Sequence, residues 1–157
     1  MTIGVIGAGA WGTALAQAMA SDGASDGSGV RIWAREPELV AEINAAHTNS
    51  LFLPGAALSD RIQATGSLAD LADCRVLLVV VPAQFLGAVL QGLPDGTRDL
   101  VLCAKGIEAG TGRLMADVAR DAVPGARLAV LSGPAFAREG AAGLPRAVTL
   151  AWSGGEA

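Results

Sequence analysis

Apolar residues along this chain follow two alternating rhythms. Short apolar runs of strand length are followed by stretches in which apolar residues recur at helical spacing. The first run, Ile3 to Ile6, passes through a glycine turn into an alanine-rich helix from near Ala10 to about Ser21, with Ala14, Leu15, Ala18 and Met19 as its stripe. Residues 22 to 29 are all turn formers and predict a surface loop. A second strand covers Val30 to Trp33 or Ala34. Pro37 then suits the first turn of a helix whose inner face is Leu39, Val40 and Ile43.

The apolar stretch Leu51 to Leu53 leads into a turn at Pro54-Gly55. A third strand near Ile62 to Ala64 and a helical turn from Ser67 to Leu71 follow. The run from Arg75 to Val81 predicts a buried fourth strand ended by Pro82, and Phe85, Leu86, Val89, Leu90 and Leu93 mark one face of the next helix. A fifth strand, Leu100 to Cys103, precedes a helix from about Gly112 to Ala122 with Leu114, Met115 and Val118 inward. A sixth strand, Arg127 to Leu131, and a last one, Arg146 to Trp152, complete the pattern. Strands alternating with helices predict an α/β fold: a doubly wound, mostly parallel Rossmann-type sheet with helices on both faces. Right-handed crossovers would bring the strands' C-terminal ends to one edge, where ligands bind in such sheets.

Composition supports this and removes alternatives. The 157 residues suit one domain with a real core. A content of 52% hydrophobic and 17% charged residues fits strands covered on both faces. The net charge of −4 and the lack of a basic cluster argue against a nucleic-acid partner. The longest apolar run, Val76 to Val81, is too short to span a bilayer, and the chain enters a strand with no signal-like leader, so the expectation is a cytoplasmic protein without membrane insertion. Cys74 and Cys103 have no metal or redox spacing, and His47 has no neighbouring ligand type, so no metal site is expected.

Candidate chemistry begins at the first turn. Gly7, Gly9 and Gly12 fit the dinucleotide fingerprint G-x-G-x-x-G in its strand–turn–helix context. The first lets the chain turn, the second lets a pyrophosphate approach the backbone, and the third lets the helix pack closely. At the end of the second strand, Arg35 precedes any acid. Its planar guanidinium suits a ribose 2′-phosphate, so NADP(H) is favoured, while Glu36 keeps NAD(H) open. Lys105 is the single lysine beside ten arginines and follows the fifth strand, where a compact ammonium could stabilise growing negative charge.

Taken together and in order, GAGAWGTALA, INAAHTNSLFLPG, VVVPAQ, CAKGIE and LSGPAFAREGAAGLP resemble the amino-terminal domain of bacterial NAD(P)-dependent glycerol-3-phosphate dehydrogenases, over essentially the whole chain. That family interconverts dihydroxyacetone phosphate and glycerol 3-phosphate for phospholipid synthesis. The resemblance implies that Ala10 and Trp11 contact the cofactor phosphates and that Arg35 lies at the adenosine end. It implies that Lys105 touches both the nicotinamide half and the substrate, that Gly133 and Ala135 line the substrate side, and that Ala137 contacts the cofactor. Ala135 departs from the Ser or Thr usual in the family, so any contact there must come from the backbone. The family's catalytic lysine sits in a carboxy-terminal helical domain that is not part of residues 1–157, so no catalytic residue is assigned in this chain and the isolated domain is expected to be essentially inactive. A stand-alone nucleotide-binding module without catalysis, and a related Rossmann reductase acting on another keto or imino substrate, are the alternatives. A homodimer is left open, with Leu51 to Leu53 as an apolar stretch that could drive self-association.

Overall fold

The structure, a computed structural model, describes residues 2–22, 29–96, 98–133, 137–143 and 147–152. In chain order the elements are β1 (Ile3–Ile6), α1 (Ala10–Asp22), β2 (Val30–Trp33), α2 (Pro37–Ala46), β3 (Ile62–Thr65), a 3₁₀ turn (Leu68–Leu71), β4 (Val76–Val79), α3 (Ala83–Gln91), β5 (Asp99–Leu102), α4 (Met115–Ala122), β6 (Arg127–Ser132), α5 (Ala137–Ala141) and β7 (Thr149–Trp152). The strands form one seven-stranded sheet in the order β3-β2-β1-β4-β5-β6-β7. The pairs from β3 through β6 are parallel, with Ile3 opposite both Val30 and Val76. The order reverses beside β1, which is the topological switch point of a doubly wound sheet.

Alternation along the strands sends neighbouring residues to opposite faces. Val5 joins Ile32, Leu15, Leu39 and Ile43 in one buried cluster, beneath α1 and α2. Ile6, the next residue, joins Leu77, Leu100, Leu86, Leu90 and Met115 in the other, beneath α3 and α4. Each such aliphatic side chain contributes about 1.5–3 kcal/mol when fully buried. The alternation therefore fixes which helix lies on which face. α1 is buried beyond its expected stripe: Ala16 and Ala20 also belong to the first cluster, and α5 packs against α1 as well.

Five expectations are corrected. The last strand is not parallel: β7 pairs antiparallel with β6, Ser132 opposite Thr149, so its C-terminal end lies at the opposite edge from the others. Its described part starts at Thr149, and Arg146 lies outside the described residues. Leu114 is not inward but 60% exposed. It precedes α4 and forms an antiparallel bridge with Ile107, which delays the helix to Met115. Phe85 is 55% exposed, because α3 turns Leu86 and Leu90 to the core. Leu53 is only 1% exposed and belongs to the core, leaving Leu51 and Phe52 as the exposed part of that apolar stretch. Of the loop expected over residues 22 to 29, Asp22 still belongs to α1, and residues 23–28 lie outside the described residues.

Candidate functional site

Strand β1 ends at Ile6, and Gly7 takes a φ of 110°, a conformation that favours glycine. Its N–H donates to the Trp33 carbonyl at 3.0 Å, which ties the turn to the end of β2. Gly12 explains how closely α1 follows. A methyl there would lie 1.9 Å from the Gly7 carbonyl oxygen. Gly9 is different: a methyl there would meet nothing within 4 Å, and its φ is not in the left-handed region. Neither packing nor backbone conformation demands a glycine at that position. It leaves open space beside the positive end of α1, the arrangement in which a pyrophosphate sits against backbone.

This turn forms one wall of a cleft of about 470 Å³. Gly7, Gly9, Ala10, Trp11 and Gly12 line it, with Trp33, Arg35 and Glu36 at the end of β2 and Pro82 and Phe85 after β4. The Arg35 side chain is 77% exposed, and its Nη2 lies 3.3 Å from Glu36 Oε1. The pair is loose enough for the guanidinium to exchange partners, since exposed ion pairs contribute little. Trp33 is held by its indole N–H, which donates to the Gly66 carbonyl at 3.1 Å.

A second cleft, of about 260 Å³, is lined by Trp11, Cys103, Lys105, Leu131, Ser132, Gly133 and Val148. Trp11 lines both clefts, so they adjoin across its side chain. Lys105 is exposed and, among the described residues, makes no ion pair or hydrogen bond. Its ammonium stands ready for an anionic or polar ligand. Cys103 is buried, and burial pushes its thiol up to about 12, which keeps it a neutral wall. Cys74 is buried and free as well. Gly133 has a packing reason of its own: a methyl there would lie 2.8 Å from the Ala147 carbonyl oxygen. Ala137 opens α5 and is half-buried, and it does not line either cleft. Pro134 and Ala135 lie outside the described residues. Among the described residues no group of three His, Cys, Asp or Glu could hold a metal ion, and no helix is long and apolar enough to cross a membrane.

The glycine turn has a support that sequence reasoning missed. Asn49 is fully buried. Its Nδ2 donates to the Ala8 carbonyl at 2.9 Å and to Thr13 Oγ1 at 2.8 Å, while its Oδ1 accepts the Phe52 N–H at 2.9 Å. Thr13, also fully buried, donates to the Ala8 carbonyl. Buried polar groups satisfied in this way rigidify what they join, here the turn, α1 and the segment that carries Phe52. Glu42 fastens that segment from outside. Its carboxylate accepts from the Thr48 hydroxyl and from the Ser50 N–H and hydroxyl at 2.7–2.9 Å. The Ser50 backbone bond, then the side-chain bonds, hold its pKa below the usual value.

The open space at the positive end of α1 thus lies at the switch point, in one cleft with the Arg35 guanidinium, and the lysine-bearing cleft adjoins it at Trp11. Comparison with known proteins gives the family. Residues 2–157 match the family described as the NAD-dependent glycerol-3-phosphate dehydrogenase N-terminus. The chain is 61% identical over 154 residues to a glycerol-3-phosphate dehydrogenase (NAD(P)+) of Erythrobacter litoralis, covering 98% of this chain and 46% of that protein. It is 62% identical to the protein of the same description from Novosphingobium aromaticivorans, covering 98% and 45%. Among solved structures, the glycerol-3-phosphate dehydrogenase of Coxiella burnetii superposes with a TM-score of 0.84 at 34% identity, over 95% of this chain and 46% of that one. The chain thus spans less than half the length of these relatives.

Proposed function

The chain belongs to the family of NAD-dependent glycerol-3-phosphate dehydrogenase N-termini, and from that premise we propose that it is the cofactor-binding domain of an NAD(P)-dependent dehydrogenase that reduces dihydroxyacetone phosphate to glycerol 3-phosphate. The observation that carries the reading is the pair of clefts adjoining at Trp11, one with the glycine cradle and the other with Lys105. Together with the family membership, it favours a dehydrogenase over a stand-alone nucleotide-binding module.

The residues divide the work. Gly7, Gly9, Ala10, Trp11 and Gly12 hold the pyrophosphate, with Gly9 leaving room for it and α1 supplying its positive end. Arg35 takes the ribose 2′-phosphate and gives up Glu36 to do so, which makes NADP(H) the preferred cofactor. Glu36 lines the same cleft and can accept a ribose hydroxyl, so NAD(H) binds too, more weakly. A nicotinamide bound there would supply the hydride. Lys105 places its ammonium against the nicotinamide half of the cofactor and beside the substrate's carbonyl oxygen, where it stabilises the negative charge that grows. Gly133, which lines the Lys105 cleft, forms the substrate side. The proton that completes the alcohol comes from a lysine in a helical domain outside these 157 residues. General acid catalysis is worth about 10²–10⁴-fold, so these residues alone bind cofactor and turn over essentially no substrate.

Calorimetric titration with NADPH and NADH tests the reading. Wild type should bind both, NADPH more tightly. Arg35→Ala should lose about 1.5–3 kcal/mol with NADPH, the range of a charged hydrogen bond, and little with NADH. Equal losses for the two cofactors would remove the 2′-phosphate assignment, and no binding of either would remove the proposal.

A further inference from the structure

Lys105 sits in a long connection between β5 and α4, and the structure shows what holds that connection in place. Some of its bonds fold it on itself: Glu108 N–H donates to the Arg113 carbonyl at 2.9 Å, Gly112 N–H to the Glu108 carbonyl at 2.9 Å, and Ile107 bridges Leu114. At its far end Arg113 Nη2 donates to Asp121 Oδ2 on α4 at 2.7 Å, and two further bonds fasten the stretch nearer Lys105, both to one side chain. Gln84 Nε2 donates to the Ile107 carbonyl at 2.9 Å, and Gln84 Oε1 accepts the Ala109 N–H at 2.7 Å. The amide of Gln84 thus reads the loop as a neighbouring strand would, donor to acceptor and acceptor to donor, on both sides of Glu108.

We propose that Gln84 is a positioning residue, which acts through the 107–109 backbone to hold the Lys105 ammonium at the mouth of the second cleft. Its place in the fold gives it a further role. Gln84 lies in the first turn of α3 between Pro82 and Phe85, both of which line the glycine-turn cleft. One rigid helical turn therefore touches the first cleft with Phe85 and grips the Lys105 loop with Gln84. The Gln84 amide thus ties the Lys105 loop to the helical turn that lines the first cleft. The geometry also sets the residue type. Only a side chain with both a donor and an acceptor on one planar group can satisfy both backbone partners. Gly106, with a φ of 112°, lies between Lys105 and the grip, so without Gln84 the lysine side of the loop has a ready pivot. The functional half of this inference rests on the role given to Lys105 above, whereas the grip itself does not.

Two measurements on the 157-residue chain test it. The first is amide hydrogen exchange at Ala109, compared in wild type, Gln84→Leu and Gln84→Glu. Leucine removes both bonds, and Ala109 exchange should quicken about tenfold while β1 and β4 amides keep their rates. Glutamate retains the acceptor and should keep Ala109 protected. Unchanged Ala109 exchange in Gln84→Leu would overturn the grip. The second is a double-mutant cycle on NADPH affinity with Gln84→Leu and Lys105→Ala. Gln84→Leu should weaken binding about tenfold, as expected for lost hydrogen bonds, and should add almost nothing once Lys105 is alanine. Independent, additive losses would show that Gln84 does not act through Lys105 and would overturn the positioning role. If Lys105→Ala leaves affinity unchanged, the role of Lys105 falls and the positioning role with it, while the exchange data still decide on the grip.

Discussion

Gly9 and Gly12 belong to one fingerprint, yet alanine should act on them in opposite ways. At Gly12 a methyl would overlap the Gly7 carbonyl oxygen at 1.9 Å, against backbone that is itself held to Trp33. The turn or the helix must shift, and overpacking against fixed backbone costs about 1–3 kcal/mol or more. In a domain of this size that lowers the melting temperature by about 2–4 °C per kcal/mol. At Gly9 a methyl meets nothing within 4 Å, and alanine restricts the unfolded chain, so stability should hold or rise by about 0.4–1 kcal/mol. The cost appears only when a pyrophosphate approaches. The methyl stands between it and the backbone and forfeits one charge-assisted hydrogen bond or two, each worth about 1.5–3 kcal/mol. That is about 10-fold to more than 100-fold in affinity. The assay pairs thermal unfolding with NADPH titration for Gly9→Ala, Gly12→Ala and wild type. A Gly9→Ala variant that melts normally and binds NADPH like wild type would refute the reasoning, as would one that melts as early as Gly12→Ala.

Three further outcomes are expected. Asn49→Ala removes a buried amide that satisfies Ala8, Thr13 and Phe52, and should cost about 2–4 kcal/mol in chemical denaturation; a loss under about 0.5 kcal/mol would mean the hub is not formed. Glu42 has a lowered pKa in the folded state, so its stabilisation is present above the ordinary glutamate value of about 4.3 and is lost as pH falls through the lowered folded value. Glu42→Gln should therefore unfold more easily than wild type at pH 6–7, with the gap closing below about pH 4; a gap that widens in acid would contradict the assignment. Cys103, with its thiol pushed up to about 12, should resist iodoacetamide at pH 8 in the folded chain and react on denaturation, by mass spectrometry.

Much of the fold was legible because its signals are local. The alternation at Val5 and Ile6 names two faces, and the spacing from Gly7 to Gly12 predicts a strand, a turn and a helix together. The errors came where the information is not local. The apolar residues of β7 mark a strand but not its direction, since alternation reads the same both ways. Leu114 and Phe85 are apolar residues at element starts, where a one-turn change in boundary decides between core and surface. Asn49 lay in a motif visible in the chain, but a polar residue in a loop carries no mark that its amide will reach Ala8 across 41 positions. Gln84 was hidden for the same reason, as its partners are backbone groups and any sequence could supply them.

The placement of the tryptophans has a spectroscopic consequence. The chain has three tryptophans and no tyrosine, so its near-ultraviolet emission comes from indole. Trp11 and Trp33 line the glycine-turn cleft, whereas Trp152 stands on the edge strand with the Arg127 guanidinium 5.7 Å from its ring centroid. A reduced nicotinamide absorbs where indole emits. A reduced dinucleotide seated in the cleft would therefore quench the two indoles that line it by energy transfer at close range, and the fold carries its own optical gauge of occupancy without any attached dye.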